Sequence, residues 1–420
     1  VKRTGKEVEP KDRAFGRHIQ QLRQSRKLTQ TELAGRLQKT SSWMSQVERG
    51  VQRVERLDVL QDLADALGVS VQQLKPGAPG QAASPPLQTH VYKSNDLDEA
   101  RRLISGHPAI GTILGALRPA PRKGLDELSA DVDEMWELTH AGEFADVSAR
   151  LTELLPDLEQ TVRIVEPSER EAAYLLLART YQALAAAFVR QDAADAAWVA
   201  ADRAIWAAEL SGNNLHVCAG VFRIVHAFVR LRMLGQAEHA ATTAIQALET
   251  IDSRDGLPVE GLSVLGSLHL ALALVHARGH DRAGARAAID AARQVARRIG
   301  EDRNDFDLEF GVTNVEIQAV STAVELGDAG EALDIGLAID AEGLSPERQG
   351  RLLMDLGRAH AQRRHTGEAL ACLLRAEALD PETIRTHVAS RKAIRELVLV
   401  EGPGAPPELM DLAERAEALE

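Results

Sequence analysis

The chain of 420 residues carries 49 Lys plus Arg against 62 Asp plus Glu, a formal net charge of −13, with 45% hydrophobic but only 3% aromatic residues. That length predicts more than one structural unit, and the dominance of Ala and Leu over β-branched residues favours helix over sheet. No stretch approaches about eighteen uninterrupted apolar residues and the opening VKRTGKEVEPKDR has no apolar core, which argues against a secretory or membrane protein and for a cytoplasmic one.

The charge is unevenly divided. Residues 1–75 hold 15 Lys plus Arg against 9 Asp plus Glu, a net of +6, whereas the remainder holds 34 against 53, a net of −19. A basic head suits a polyanion and an acidic body repels one, so nucleic-acid contact is expected from the head alone.

Residues 1–14 read as a flexible N-terminus. Phe15–Arg26 then places Phe15, Ile19 and Leu22 on one helical face. Thr29 stands at a cap position, and Glu32 three residues later completes a capping box for a helix over 30–37 that buries Leu33, Ala34 and Leu37. Ala34 is small, as a close, steep helix crossing requires. Thr40 or Ser41 caps a third helix with Met44 and Val47 turned inward, leaving Ser41, Ser42, Trp43, Ser45, Gln46 and Arg49 outward. A fourth helix, Leu57–Leu67, ends at Gly68, and Val69, Val71 and Leu74 close a small five-helix bundle.

FGRHIQQLRQSRKLTQTELAGRLQKTSSWMSQVERG followed by LDVLQDLADALGVSVQQL resembles the Cro/phage-repressor (XRE) type of helix-turn-helix domain over residues 15–74. The resemblance implies double-stranded DNA as partner. It places Gln30 where the family's glutamine touches phosphate and braces the recognition helix, Ser41 and Ser42 at the base-facing helix start, and Gln46 one turn on. It places Trp43 toward the DNA backbone or a methyl group (packing on its own domain is the other reading), and Arg49 and Arg53 where phosphate contacts are common. With the cap Thr40, these form the candidate DNA-binding set. Independently, a helix fits the major groove, glutamine can pair bidentately with adenine, and serine can meet several base edges. Gln38 departs from the family's turn glycine, and VQRVERLD lacks the usual proline before the fourth helix.

Residues 76–92 contain PGAPGQAASPPLQTH and read as a semi-flexible linker. From 93 to 420 helical periodicity barely stops. GEAL recurs at 330–333 and 367–370, 37 apart, and breaks at Gly235 and Gly279 lie 44 apart. A degenerate tetratricopeptide-like array of helix pairs is expected, stacking into an α-solenoid. FGVTNVEIQAVSTAVELGDAGEAL is similar to the FGPTNV-type segment of actinobacterial regulators that join such a head to a tetratricopeptide-like body. Here Val312 stands where proline is usual and Gln318 where histidine is frequent, so the ligand is expected to differ.

No HExxH motif, paired-cysteine cluster or phosphate loop occurs, so neither catalytic residues, a metal nor a cofactor is expected. Cys218 and Cys372 read as core residues. Asn213, Asn214, His216, Arg223, Thr313, Asn314 and Glu316 are the candidate effector-contacting residues, although capping or interhelix bonding explains each equally well. The expected whole is an all-α, homodimeric, sequence-specific transcriptional regulator controlled by a peptide or small molecule. The competing reading is a protein-interaction scaffold whose head no longer binds DNA.

Overall fold

Short helices with strong local caps build the head. In the computed structural model, residues 10–26, 28–37, 39–54, 57–67, 69, 74, 95–107, 110, 114, 123–341, 345–386 and 388–419 are described. The chain divides into two compact units, residues 1–88 with 389–420, and residues 89–388.

The first unit contains α1 (Pro10–Ser25), α2 (Gln30–Arg36), α3 (Ser41–Glu48) and α4 (Leu57–Leu67). Helix α1 begins five residues before Phe15, so residues 10–14 are helical rather than part of a flexible terminus. Proline suits the first helical position, and Asp12 in the first turn forms a 2.6 Å ion pair with Arg53. Thr29 and Glu32 form the capping box, with Thr29 N–H donating to Glu32 Oε2 at 2.7 Å and Glu32 N–H donating to Thr29 Oγ1 at 3.1 Å. Ile19, Leu33, Ala34, Met44, Val47, Leu60, Leu63 and Leu67 are buried together, and Leu74 closes the core from the fifth segment. Gln38, Gly68, Val71 and the linker lie outside the described residues.

The C-terminal helices α19 (Val388–Glu401) and α20 (Pro407–Arg415) fall largely in this first unit, unlike the expected division at 93–420. The physical reason is Leu399, which is 4% exposed and buried in the same apolar cluster as Leu33 and Met44. Full burial of a leucine contributes about 1.5–3 kcal/mol.

The second unit is a helical solenoid. After α5 (Asp98–Ile104) come the pairs α6 (Leu125–Ala141) with α7 (Phe144–Ile164), α8 (Arg170–Arg190) with α9 (Ala194–Leu210), and α10 (Asn214–Arg230) with α11 (Leu234–Asp255). Then follow α12 (Val259–Arg278) with α13 (Arg282–Ile299), α14 (Val312–Leu326) with α15 (Ala329–Gly336), and α16 (Pro346–Gln362) with α17 (Thr366–Leu379), and last the short α18 (Pro381–Thr386). The first helices of successive pairs, α6, α8, α10, α12, α14 and α16, pack side by side along one wall. Alanines allow the close approach: Ala197, Ala200, Ala201, Ala204 and Ala208 of α9 are fully buried.

The break glycines work differently from the sequence expectation. Residues that take left-handed backbone in the turns are Gly142, Asp192, Gly212, Arg232, His280, Gly300, Gly327 and Arg364. Gly235, Gly330 and Gly367 lie one step inside the following helix, and a Cβ at Gly235 or Gly367 would meet nothing within 4 Å. Among the described residues the one β pairing is an isolated antiparallel bridge between Arg303 and Phe310. Pro167–Arg190 and Val259–Arg278 are long and apolar enough to cross a membrane by composition, but they are 67% and 72% buried within the unit, as core helices of a stack must be.

Candidate nucleic-acid interface and a cavity in the second unit

The caps and packing of the head decide which side of α3 is free. Trp43 N–H donates to the Thr40 side chain at 3.2 Å, so Thr40 is the cap and Ser41 the first helical residue. Thr40, Ser41, Ser42 and Arg49 are exposed, Gln46 is half-buried, and Trp43 packs partly against the core of the head. Arg53 is held by Asp12, so any phosphate contact from it competes with that ion pair.

The end of α3 is locked by a buried charge network. Arg23 donates to both carboxylate oxygens of Glu48, at 2.6 and 3.1 Å, and a third N–H reaches the Leu28 carbonyl at 2.6 Å. Gln30 Nε2 donates to Glu48 Oε2 at 2.7 Å, which ties the start of α2 to the end of α3. Such bidentate, charge-assisted bonds fix orientation as well as contribute energy. Gly16 lets α1 cross here: a Cβ on it would lie 2.5 Å from the Val47 and Glu48 carbonyl oxygens. Gly50, at φ +73, likewise has backbone of Asp12 and Arg13 2.8 Å from where a Cβ would be. A rigid pair of short helices, one with an exposed polar face, is the resulting surface.

Within the second unit the candidate effector residues separate. Asn213 caps α10, its side chain accepting from His216 N–H at 3.1 Å. Asn214 is exposed at the first helical position. His216 is buried edge-on against Phe306 with ring centroids 4.6 Å apart, and burial pushes its pKa down to about 4. Thr313 N–H donates to Asp302 Oδ1 at 3.0 Å, and Glu316 accepts two bonds from Arg293 at 2.8 Å. None of these five lines the cavity described next.

Arg223 and Asn314 do line it, as does Gln318. The cavity, of about 190 Å³, lies on the wall of first helices and draws residues from α6, α8, α10, α12, α14 and α16. Its apolar side includes Trp136, Phe222, Leu270 and Ile317. Its polar side is dense in charge. Arg223 stacks over Trp136 and Phe222 at 5.2 and 5.3 Å and donates to the Asp307 carbonyl at 2.7 Å; burial lowers its pKa to about 10. Arg190 donates to the carbonyls of Thr139 and His140, at 2.6 and 3.3 Å.

His140 joins distant parts of the array. Its Nε2 is 3.3 Å from Asp307 and its Nδ1 3.8 Å from Glu347, and these partners, Asp307 foremost, raise its pKa to about 9. Burial works against ionisation of Glu347, but His140 and Arg190 outweigh it and hold its carboxyl below the usual range. His226 takes the opposite course: burial, then Arg223, Arg351 and Arg230, push its pKa down to about 3 and keep the ring neutral.

One segment delivers Asp307 and Glu309 at a backbone cost. Phe306, Asp307 and Glu309 all have positive φ, at 56°, 54° and 50°, each costing on the order of 1–3 kcal/mol for a side chain with a Cβ. The surroundings hold the segment: Arg303 N–H donates to the Phe310 carbonyl at 2.8 Å, Ser263 donates to Asp305 at 2.6 Å, and Asn314 donates to the Glu309 carbonyl. Phe310 is fully buried over Gly266, where an added Cβ would fall 2.0 Å from the ring.

His140, Glu309 and Glu347 bring one ligand atom each within 4.8 Å of the others, a spacing a divalent cation can use. Protein cations already serve these carboxylates, however. Arg190 lies 3.8 Å from Glu347 and Arg348 lies 3.6 Å from Glu309, beside a protonated His140. The arrangement is that of an ion-pair network.

Comparison with known proteins bears on the head. A family model described as a helix-turn-helix domain matches residues 14–76. The chain therefore carries a helix-turn-helix domain over those residues, which include most of α1 and the whole of α2, α3 and α4. No curated protein and no solved structure matches the chain.

Proposed function

We propose that this protein is a cytoplasmic, sequence-specific DNA-binding transcriptional regulator of the Cro/phage-repressor type. Helix α3 enters the major groove, and the tetratricopeptide-like body carries an effector site in its cavity. The observation that carries the reading is the capped α3, whose outer face presents Ser41, Ser42, Gln46 and Arg49 while Glu48, Arg23 and Gln30 clamp its far end. A helix-turn-helix match at residues 14–76, in the basic part of an otherwise acidic chain, supports the same reading.

Selection of bound sequences from a random DNA pool by the full-length chain tests it. One enriched motif is expected, with affinity falling steeply as salt rises because phosphate contacts release counterions. No enrichment, with or without cell extract, would favour the scaffold reading instead. On the selected site, Gln46→Ala should cost about 1–3 kcal/mol and relax specificity at one position. Equal weakening on random DNA would remove Gln46 as a base reader.

One such head covers a short half-site, so tight binding calls for two, spaced by a helical turn or a multiple of it. The solenoid supplies the area for a homodimer. Light scattering should give about twice 45.5 kDa at micromolar concentration. A monomer mass with and without the selected DNA contradicts the dimer.

A further inference from the structure

The cavity's charges do not balance. Four lining arginines (Arg190, Arg223, Arg348 and Arg351) and protonated His140 face three lining carboxylates (Asp307, Glu309 and Glu347), an excess of two positive charges. This excess sits inside a body whose net charge over residues 76–420 is −19. The carboxylates are also used up internally, by His140, Arg190 and Arg348.

Two guanidinium groups are left over. Arg223 bonds only to backbone carbonyls, and its Nε is buried without an acceptor. Half-buried Arg351 makes no hydrogen bond or ion pair among the described residues, acts on Glu347 only through space, and has its Nε buried without an acceptor. Arg223, Arg351 and His226 all line the cavity, and both cations act against protonation of that ring. An unpaired buried charge is expensive unless something neutralises it. Guanidinium forks match carboxylate and phosphate oxygens bidentately. The same cavity is lined by Trp136 and Phe222, over which Arg223 stacks, and by Leu270, an apolar surface suited to a flat hydrocarbon body.

We propose that the cavity binds a small amphipathic organic acid, with a carboxylate or phosphate seated on Arg223 and Arg351 and an aromatic or branched apolar body against Trp136 and Phe222. This names the chemistry of the effector site suggested above and rests on that reading only for its regulatory meaning. An extended peptide fits poorly: the cavity is small, about 190 Å³, and ligand sites of this kind enclose most of their ligand.

The test uses fluorine NMR of 4-fluorobenzoate, 4-fluorophenyl phosphate and the uncharged 4-fluorobenzamide with the full chain. Line broadening is expected for at least one of the two anions and at least tenfold weaker for the amide; which anion binds better distinguishes carboxylate from phosphate. Arg351→Gln should abolish the anion's broadening, and Arg351→Lys should retain part of it. Arg293→Gln, in an ion pair outside the cavity, should leave it unchanged. Since Arg351 makes no hydrogen bond or ion pair among the described residues, a matching helical circular-dichroism spectrum is expected for its variants. Broadening that is equal for acid and amide, absent for both anions, or indifferent to Arg351→Gln and Arg223→Gln would overturn the proposal, as would preferential uptake of an extended peptide. Binding of the anion without any change in affinity for the selected DNA would overturn the regulatory reading and leave the anion site standing.

Discussion

Glu48→Ala should destabilise the head by about 3–5 kcal/mol, because it leaves the Arg23 guanidinium buried and uncompensated. Arg23 is 8% exposed and Glu48 6%, so water cannot replace the lost carboxylate. The Glu48 carboxylate also accepts the Gln30 amide, so α2 loses its tie to the end of α3 at the same time. Hydrogen exchange of peptides within residues 10–54 is the direct measurement, and protection there should fall by two to three orders of magnitude while residues 125–379 are unaffected. The double change Arg23→Met with Glu48→Met is the informative control. It removes both charges and fills similar volume, so most of the protection should return. Comparable loss in the single and double variants would mean that packing, and not charge pairing, holds α3 in place.

Acid should unfold the second unit well above the pH at which its carboxylates protonate. His226 and His216 have folded-state pKa values of about 3 and about 4, chiefly because burial disfavours their charged forms. In the unfolded chain each takes up a proton near pH 6.5. Their neutral burial is therefore without penalty above pH 6.5, and stability is lost as pH falls from 6.5 toward 4. At about 1.4 kcal/mol per unit for each ring, the combined loss by pH 4 is on the order of 7 kcal/mol. His269, also lowered by burial, acts in the same direction. Glu347 adds to it at lower pH as its depressed carboxyl protonates. Urea unfolding at pH 7 and pH 4.5 measures the slope, and His216→Gln with His226→Gln should remove most of it. An unchanged slope in that double variant would assign the acid sensitivity elsewhere.

Local chemistry in the head was legible from sequence because it acts over three or four residues. The Thr29–Glu32 box, a cap at Thr40 or Ser41 and the inward Met44 and Val47 all follow from helical spacing, and the structure has them there, with Thr40 as the cap. The Arg23–Glu48 bond spans 25 residues, and nothing in either neighbourhood marks those two charges as buried rather than solvated. Gly16 carried no signal either, since its reason is a carbonyl on another helix.

The cavity was half-legible. Arg223 and Asn314 stood out as polar groups in first helices, but so did Asn213, which is spent on a cap, and Glu316, which pairs with Arg293. Arg351, His140 and Glu347 look like ordinary solvated helix positions in sequence. They become neighbours only because successive first helices bring residues 140 and 347 within 3.8 Å. The strained segment at Phe306–Glu309 had no sequence mark at all, for none of its left-handed residues is glycine or asparagine.

Leu399 sets an order of events during synthesis. The helix-turn-helix sequence leaves the ribosome early, yet one side chain of its apolar cluster comes from a helix near the other end of the chain. At roughly 5–20 residues per second, the nascent head waits on the order of half a minute for that residue. During that interval the solenoid assembles in between, and the head exists with an uncovered apolar spot. A product that stops before α19 therefore has a head whose apolar cluster is incomplete.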